Sequence, residues 1–369
     1  MEDVSRLSQD PSPAARVGTA AKLAQQFKTS SFSPAEMKLA EQIFMVMARD
    51  AEVRVREALA ANLKHNPHLP HEVAVALAKD VDSVALPVLS VSDVLTADDL
   101  VQIVKSQGTP SRLDAIAGRK QVDATVSAAI VDVASENVVA KLLANPGADF
   151  AEPTLHKVVD KFGDSENIQG PLVHRNVLPV TVAERLVTRV AEHLRAHLLA
   201  SHKISPELAL DLVLNSRERA TVGIAMGVSE AGLVALVTQL KDNNRLTGSL
   251  VLRAICMGNL RFFEHAVASL TGIPVGNARI LIHDPGRRGL VTTWTKAGLP
   301  TSLLPAIQSA LDVVVHTELD VDDPDRYSRR IIERILTQYE KIGVEFADDD
   351  LEYLLAKVNQ LPATQQSVH

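Results

Sequence analysis

Histidines, one arginine-glycine loop and a single cysteine are the residues of this 369-residue sequence whose types and spacing invite a chemical reading. His193 and His197 stand four positions apart, so one helix face would carry both, and Glu192 or His202 would add a third metal ligand. The HExxH arrangement is missing, which removes a metalloprotease reading. His65, His68 and His71 straddle Pro67 and Pro70, so no single helix face gathers them, and they read as turn histidines satisfied by backbone or water. Cys256 is the one cysteine, which excludes an intramolecular disulfide and a Cys-based zinc cluster. Its neighbours Leu252, Ile255 and Met257 predict a buried, unreactive side chain. Asp348 to Asp350 stand where a helix would begin and read as caps rather than metal ligands.

In the loop Asp284-Pro285-Gly286-Arg287-Arg288-Gly289, two glycines would let backbone N–H groups converge, and two guanidiniums could grip a phosphate or a carboxylate. It lacks a Walker lysine-hydroxyl pair, and the competing reading is a solvated connection between helices. Farther on, Arg326, Arg329, Arg330 and Arg334 could form a basic stripe, but Glu333 and the acidic linker dilute it and it reads as a solvated helix face, while Tyr327, Ile331, Ile335 and Tyr339 predict a core or helix-docking face. No Ser-His-Asp order, nucleophile elbow, dinucleotide fingerprint or framed pair of carboxylates is found. The expectation is therefore a noncatalytic protein with neither cofactor nor metal.

The net charge of -7 gives no general attraction to nucleic acid or anionic lipid. No apolar run reaches the ~20 residues that span a bilayer, so the sequence predicts a cytoplasmic protein without membrane insertion. Hydrophobic residues make up 46% of the chain and aromatics only 3%, a balance that suits packed helices with Leu, Val, Ala and Ile cores.

The elements that must position these residues announce themselves in Asp50–Asp80. Val53, Ala58, Leu59 and Leu63 recur at helical spacing, His65-Asn66-Pro67 ends that helix, and Leu69-Pro70 starts another, which Asp80 to Ser83 closes. An apolar residue followed by a cap or a proline then recurs at Leu95-Thr96, Val122-Asp123, Phe150-Ala151, Leu178-Pro179, Ile204-Ser205, Val228-Ser229, Leu246-Thr247, Ile273-Pro274 and Leu299-Pro300. At Phe150, Pro153 is expected to delay the helix. Ser33, Pro34 and Glu36 carry an earlier capping box, and Ser111–Ala117, Val138–Ala144 and Ala191–Ala200 predict the partner helices of three pairs. The predicted fold is all-α: a right-handed α-solenoid of short helix pairs with a helical C-terminal subdomain. The spans expected are 1–225 for the solenoid, 226–318 for continuing repeats, and 319–369 for an acidic linker, capping helices and a tail.

Gly258, Phe262-Phe263-Glu264, Leu270 to Pro274, Asp284, Gly286, Gly289-Leu290 and Ala297 to Pro300 lie within Met257–Leu311. On these residues the stretch resembles the bacterial family called domain of unknown function 2336, and the resemblance implies no activity. The N-terminal part is similar to HEAT-like and leucine-rich-variant solenoids, although its beat is shorter than the roughly 40 to 47 residues of a HEAT repeat. The resulting expectation is a scaffold or adaptor that presents a concave surface to a protein partner. The alternatives are an effector whose Gly286–Gly289 loop binds a phosphorylated small molecule or nucleotide messenger, and a nucleic-acid-acting enzyme on a HEAT-like frame, which would need a basic concave face.

Overall fold

The computed structural model describes residues 12–29, 34–201, 206–316, 324–342 and 354–355. Its named elements are all helical, and the chain divides into two compact units, Met1–Val177 and Leu178–His369. The first unit contains α1 (Pro13–Thr29), α2 (Pro34–Met47), α3 (Val53–Leu63), α4 (His71–Ala78), α5 (Asp82–Val91), α6 (Ala97–Gln107), α7 (Pro110–Ala117), α8 (Ala124–Val133), α9 (Glu136–Ala144), α10 (Glu152–Phe162) and α11 (Glu166–Val173). Among the described residues, no helix is long and apolar enough to cross a membrane.

The recurring apolar-plus-cap step marks the turn inside each helix pair. Its second residue becomes the N-cap of the next helix at Pro70, Thr96, Asp123 and Ala151. Thr96 and Asp99 form a reciprocal capping box, and the Asp123 side chain accepts from the Thr125 N–H. Such caps each contribute about 1 kcal/mol. The leading residues Leu69, Leu95 and Val122 are buried, as a hydrophobic staple requires.

The turns dictate an alternating packing order. α1 packs on α3, α3 on α5, α5 on α7, α7 on α9 and α9 on α11, while α2 packs on α4, α6 on α8 and α8 on α10. Helices α3, α5, α7, α8 and α9 are thus each held by the second helix before and the second after. Helices of eight to eleven residues are marginal alone, and the alternation supplies the missing burial: Leu59, Val88, Ile116 and Leu142 all reach zero exposure.

Polar side chains tie the first helix of one pair to the next. Arg56 binds Asp80 at 2.5 Å, Arg112 binds Asp82 at 2.7 Å and Lys141 binds Asp114 at 2.7 Å. A second set closes helix C-termini. Arg119 donates to the carbonyls of Leu89 and Ser92 at the end of α5, Asn145 to Ala117 and Arg119 at the end of α7, and Arg175 to Leu143 and Ala148 at the end of α9. Orphan carbonyls of one helix therefore find their donors one pair later. At Gly147 the backbone also bridges pairs, where Val122 N donates to Gly147 O at 2.9 Å and a Cβ would lie 1.9 Å from Lys120 O.

Several sequence expectations need correction. Asp82 and Ser83 do not close the second helix; they open α5, which tolerates Pro87. Pro70 sits at the N-cap, outside the first turn. Pro153 does not delay α10, because it falls at the start of the helix where no N–H is needed. α11, with Gly170 and Pro171 inside it, had no counterpart in the periodicity. Ala191–Ala200 is the second half of one continuous helix rather than a partner helix, since nothing between Val180 and Ser201 breaks the ladder. The Ser33 cap, Ile204-Ser205, the acidic stretch before Pro324 and Asp348–Asp350 lie outside the described residues.

The second unit contains α12 (Val180–Ser201), α13 (Pro206–Met226), α14 (Glu230–Asp242), α15 (Gly248–Cys256), α16 (Leu260–Thr271), α17 (Val275–Ile282), α18 (Arg288–Lys296), a 3-10 turn at Thr301–Leu303, α19 (Leu304–His316) and α20 (Pro324–Ile342). The apolar-plus-cap step persists, with N-caps at Ser229, Thr247, Pro274 and Pro300. α15 is the central element: it packs against α13, α16, α19 and α20, and all but one of its residues are buried. Cys256 ends it at zero exposure, as the sequence predicts. Trp294 on α18 is fully buried against Phe263 of α16, ring centroids 6.5 Å apart, and its indole N–H donates to Pro300 O at 2.9 Å.

Candidate functional site

A concave feature lies in the first unit, on the face built by α5, α7 and α9 beside the C-terminal end of α3. There a shallow groove of about 710 Å³ crosses three successive members of the same helix layer. Lys64 closes one end, Leu86, Pro87 and Ser90 come from α5, Ser111, Asp114 and Ala115 from α7, and Ser135, Asn137 and Val138 from the start of α9. Small side chains form most of the lining, so backbone-sized objects can approach the helices. The charges are one lysine and one aspartate, and Asp114 already pairs with Lys141. The basic concave face that a nucleic-acid enzyme would need is not what lines this groove.

The Asp284–Gly289 loop leads into α18. The N–H groups of Gly286 and Gly289 point at the Asp284 carboxylate, at 3.3 and 3.4 Å. Arg287 adopts a left-handed backbone, φ 57°, and its guanidinium binds Asp312 and the Gln308 carbonyl. An incoming anion would have to displace both acidic partners, and of the two arginines only Arg288 is exposed. Gly289 has a packing role: a Cβ there would lie 2.4 Å from the Leu281 carbonyl oxygen, so its small size lets α18 seat against α17.

Ile331 and Ile335 of the expected helix-docking face are fully buried within the second unit, where α20 packs on α19 and α15. The side chains of Tyr327 and Tyr339 lie outside the described residues. In the basic stripe, Arg329 is occupied by Glu333 at 2.6 Å, and the Arg326 side chain lies outside the described residues. His193 and His197 are both exposed on α12, while His202 lies outside the described residues. His71 pairs with Asp99 at 2.7 Å, leaving His65 and His68 exposed in their turn. No group of three His, Cys, Asp or Glu side chains suited to a metal occurs among the described residues.

The sequence reading missed the charge centres of the second unit. Glu264, 7% exposed on α16, receives Arg279 at 2.6 Å and lies 2.9 Å from His283 Nε2. Burial pulls its carboxyl upward, but hydrogen bonds from His283 and Arg279 outweigh this and hold it below the ordinary glutamate value. A carboxylate depressed in the folded state contributes stability above its unfolded value, and the contribution disappears as pH falls through the folded value. The Glu264 contribution should thus be fully present at neutrality and be lost only as pH falls below the ordinary glutamate value of about 4.3 and through the lower folded value. Glu264→Gln should lower stability at neutral pH and flatten that dependence, read as urea midpoints by Trp294 fluorescence. An unchanged slope would remove Glu264 from the acid response.

Phe262, Phe263 and Glu264, all within the stretch that carries the family resemblance, are therefore core and ion-pair residues, and Gly272 is a left-handed helix cap with φ 71°. A family model described as "Uncharacterised protein conserved in bacteria (DUF2336)" matches residues 84–345, well over half of the chain. No curated protein and no solved structure matches it.

Proposed function

The chain belongs to the bacterial DUF2336 family, and from that premise we propose that it is a noncatalytic helical-repeat scaffold that binds a protein partner through its first unit. The observation that carries this reading is the groove spanning α5, α7 and α9. The every-second-helix packing and the polar ties between successive pairs of the first unit favour the α-solenoid reading, and its right-handed, HEAT-like form with a concave side belongs to the proposal. The small-residue lining and near-neutral charge suit an extended polypeptide segment better than nucleic acid. A phosphorylated small molecule at Gly286–Gly289 is less well supported, because Asp284 and Asp312 already occupy the loop's donors.

A photo-crosslinking residue at Ser111, inside the groove, tests the scaffold against a probe at exposed Lys105 on α6. In native lysate the Ser111 probe should capture a discrete protein and the Lys105 probe should not. Asn137→Arg, an exposed change on the groove wall, should cut the yield about tenfold, the effect of roughly 1.4 kcal/mol. Equal capture at both positions, or none at Ser111, rules the groove out as the binding surface.

A further inference from the structure

A buried charge cluster stands in the second unit, among α12, α13 and the turn between α14 and α15. Glu184, 1% exposed on α12, is its anchor. One carboxylate oxygen accepts from Gln239 at 2.6 Å; the other takes Thr188 at 3.0 Å and the Arg245 guanidinium. Gln239 is itself fixed by the Thr181 carbonyl at 3.0 Å. Both oxygens of Glu184 are thus committed, and Arg245 is held in place with its side chain 14% exposed.

Arg217 on α13 enters the same centre without a carboxylate of its own. Its sequence neighbour Glu218 is fully engaged elsewhere, receiving Thr247 at 2.9 Å, Ser249 at 2.8 Å and Arg253 at 2.9 Å. Glu192, the remaining acidic group near Arg217, is exposed on α12. The Nε groups of both Arg217 and Arg245 are buried with no hydrogen-bond partner. Burial first, and then the charge of Arg245, pull Arg217 below the ordinary arginine value. Unpaired buried donors and like charges brought together are each unfavourable. Packing of α12 against α13 and α14, and of α13 against α15, nevertheless holds them together.

We propose that Arg217 and Arg245 form a binding site for a phosphoryl group, seated between α13 and the α14–α15 turn. Two guanidiniums present planar forks of donors that match phosphate oxygens, and a phosphate dianion would neutralise them where a single carboxylate leaves residual charge. The site is separate from the Asp284–Gly289 loop, where Asp284 and Asp312 already take the Gly286, Gly289 and Arg287 donors, and independent of the groove in the first unit.

Calorimetry and thermal melting of the full chain test the assignment, using inorganic phosphate, pyrophosphate and phosphoserine, with acetate at matched ionic strength. The phosphate-bearing probes should bind and raise the melting temperature, and acetate should do neither. Arg217→Gln should weaken phosphate binding at least tenfold. Without phosphate this variant should melt no lower than the parent chain, because Arg217 makes no internal hydrogen bond and the repulsion is relieved. Arg288→Gln should leave binding unchanged. Pyrophosphate or phosphoserine binding more tightly than phosphate identifies a diphosphate or a phosphorylated side chain as the source of the group. Arg245→Lys keeps the partner of Glu184 and loses the fork, so weakened binding in a folded chain would support the site independently. The proposal is overturned if no phosphate-bearing probe binds, if acetate binds as well as phosphate, or if Arg217→Gln binds like the parent.

Discussion

Trp294→Ala is expected to destabilise the second unit by about 3–5 kcal/mol, the range for truncating a fully buried large aromatic. Trp294 has zero exposure, stacks on Phe263 and donates its indole N–H to Pro300 O. Alanine would open a cavity between α16 and α18 and leave that carbonyl without its partner just where Pro300 caps the following turn. The loss should therefore exceed that of Trp294→Phe, which keeps most of the aromatic volume while removing the donor. Urea unfolding followed by circular dichroism is the measurement, because the substitution removes the one tryptophan. Equal losses for alanine and phenylalanine would mean that the hydrogen bond rather than the packing dominates.

Arg119→Ala is the second large effect, at about 2–4 kcal/mol, and it falls on the first unit. Arg119 is 7% exposed and donates to two carbonyls, Leu89 at 2.6 Å and Ser92 at 2.7 Å, where α5 ends. Burial pulls its pKa below the ordinary arginine value, while the Coulombic pull of Asp93 opposes that. The negative end of the α5 dipole also favours the cation. Alanine strands both carbonyls in a region closed to water; Arg119→Lys, with a single ammonium, should recover part of the loss. Trp294 lies in the second unit, so its fluorescence transition should stay in place while the circular dichroism transition acquires an earlier component. A fluorescence midpoint that moves with it would show that the two units unfold together.

Arg119 also shows why part of this architecture could not be read from the sequence. Asn145 and Arg175 perform the same carbonyl-closing task one and two pairs later, yet the residue type changes from arginine to asparagine and back, and the acceptors lie 26 to 32 residues away. Asp284 makes the complementary point. Its loop looked like an anion cradle because glycines and arginines were adjacent, but Asp312, which occupies Arg287, comes from α19.

Helix class, the sites of the caps and the burial of Cys256 were legible without coordinates. Each depends on interactions within about four residues of chain: proline geometry at Pro70, the Thr96–Asp99 box, and the apolar stripe around Cys256. The family could likewise be recognised from the Met257–Leu311 stretch. Helix α5 escaped notice because Pro87 argues locally against a helix that burial of Val84, Val88 and Leu89 stabilises. Only the tertiary structure could assemble α5, α7 and α9 into one groove, commit Glu184 and Glu218 to other partners, and bring Arg217 within the electrostatic reach of Arg245. The physical reason is range. Capping and periodicity act along the chain, whereas the partner of a charged side chain is chosen by which helices pack together.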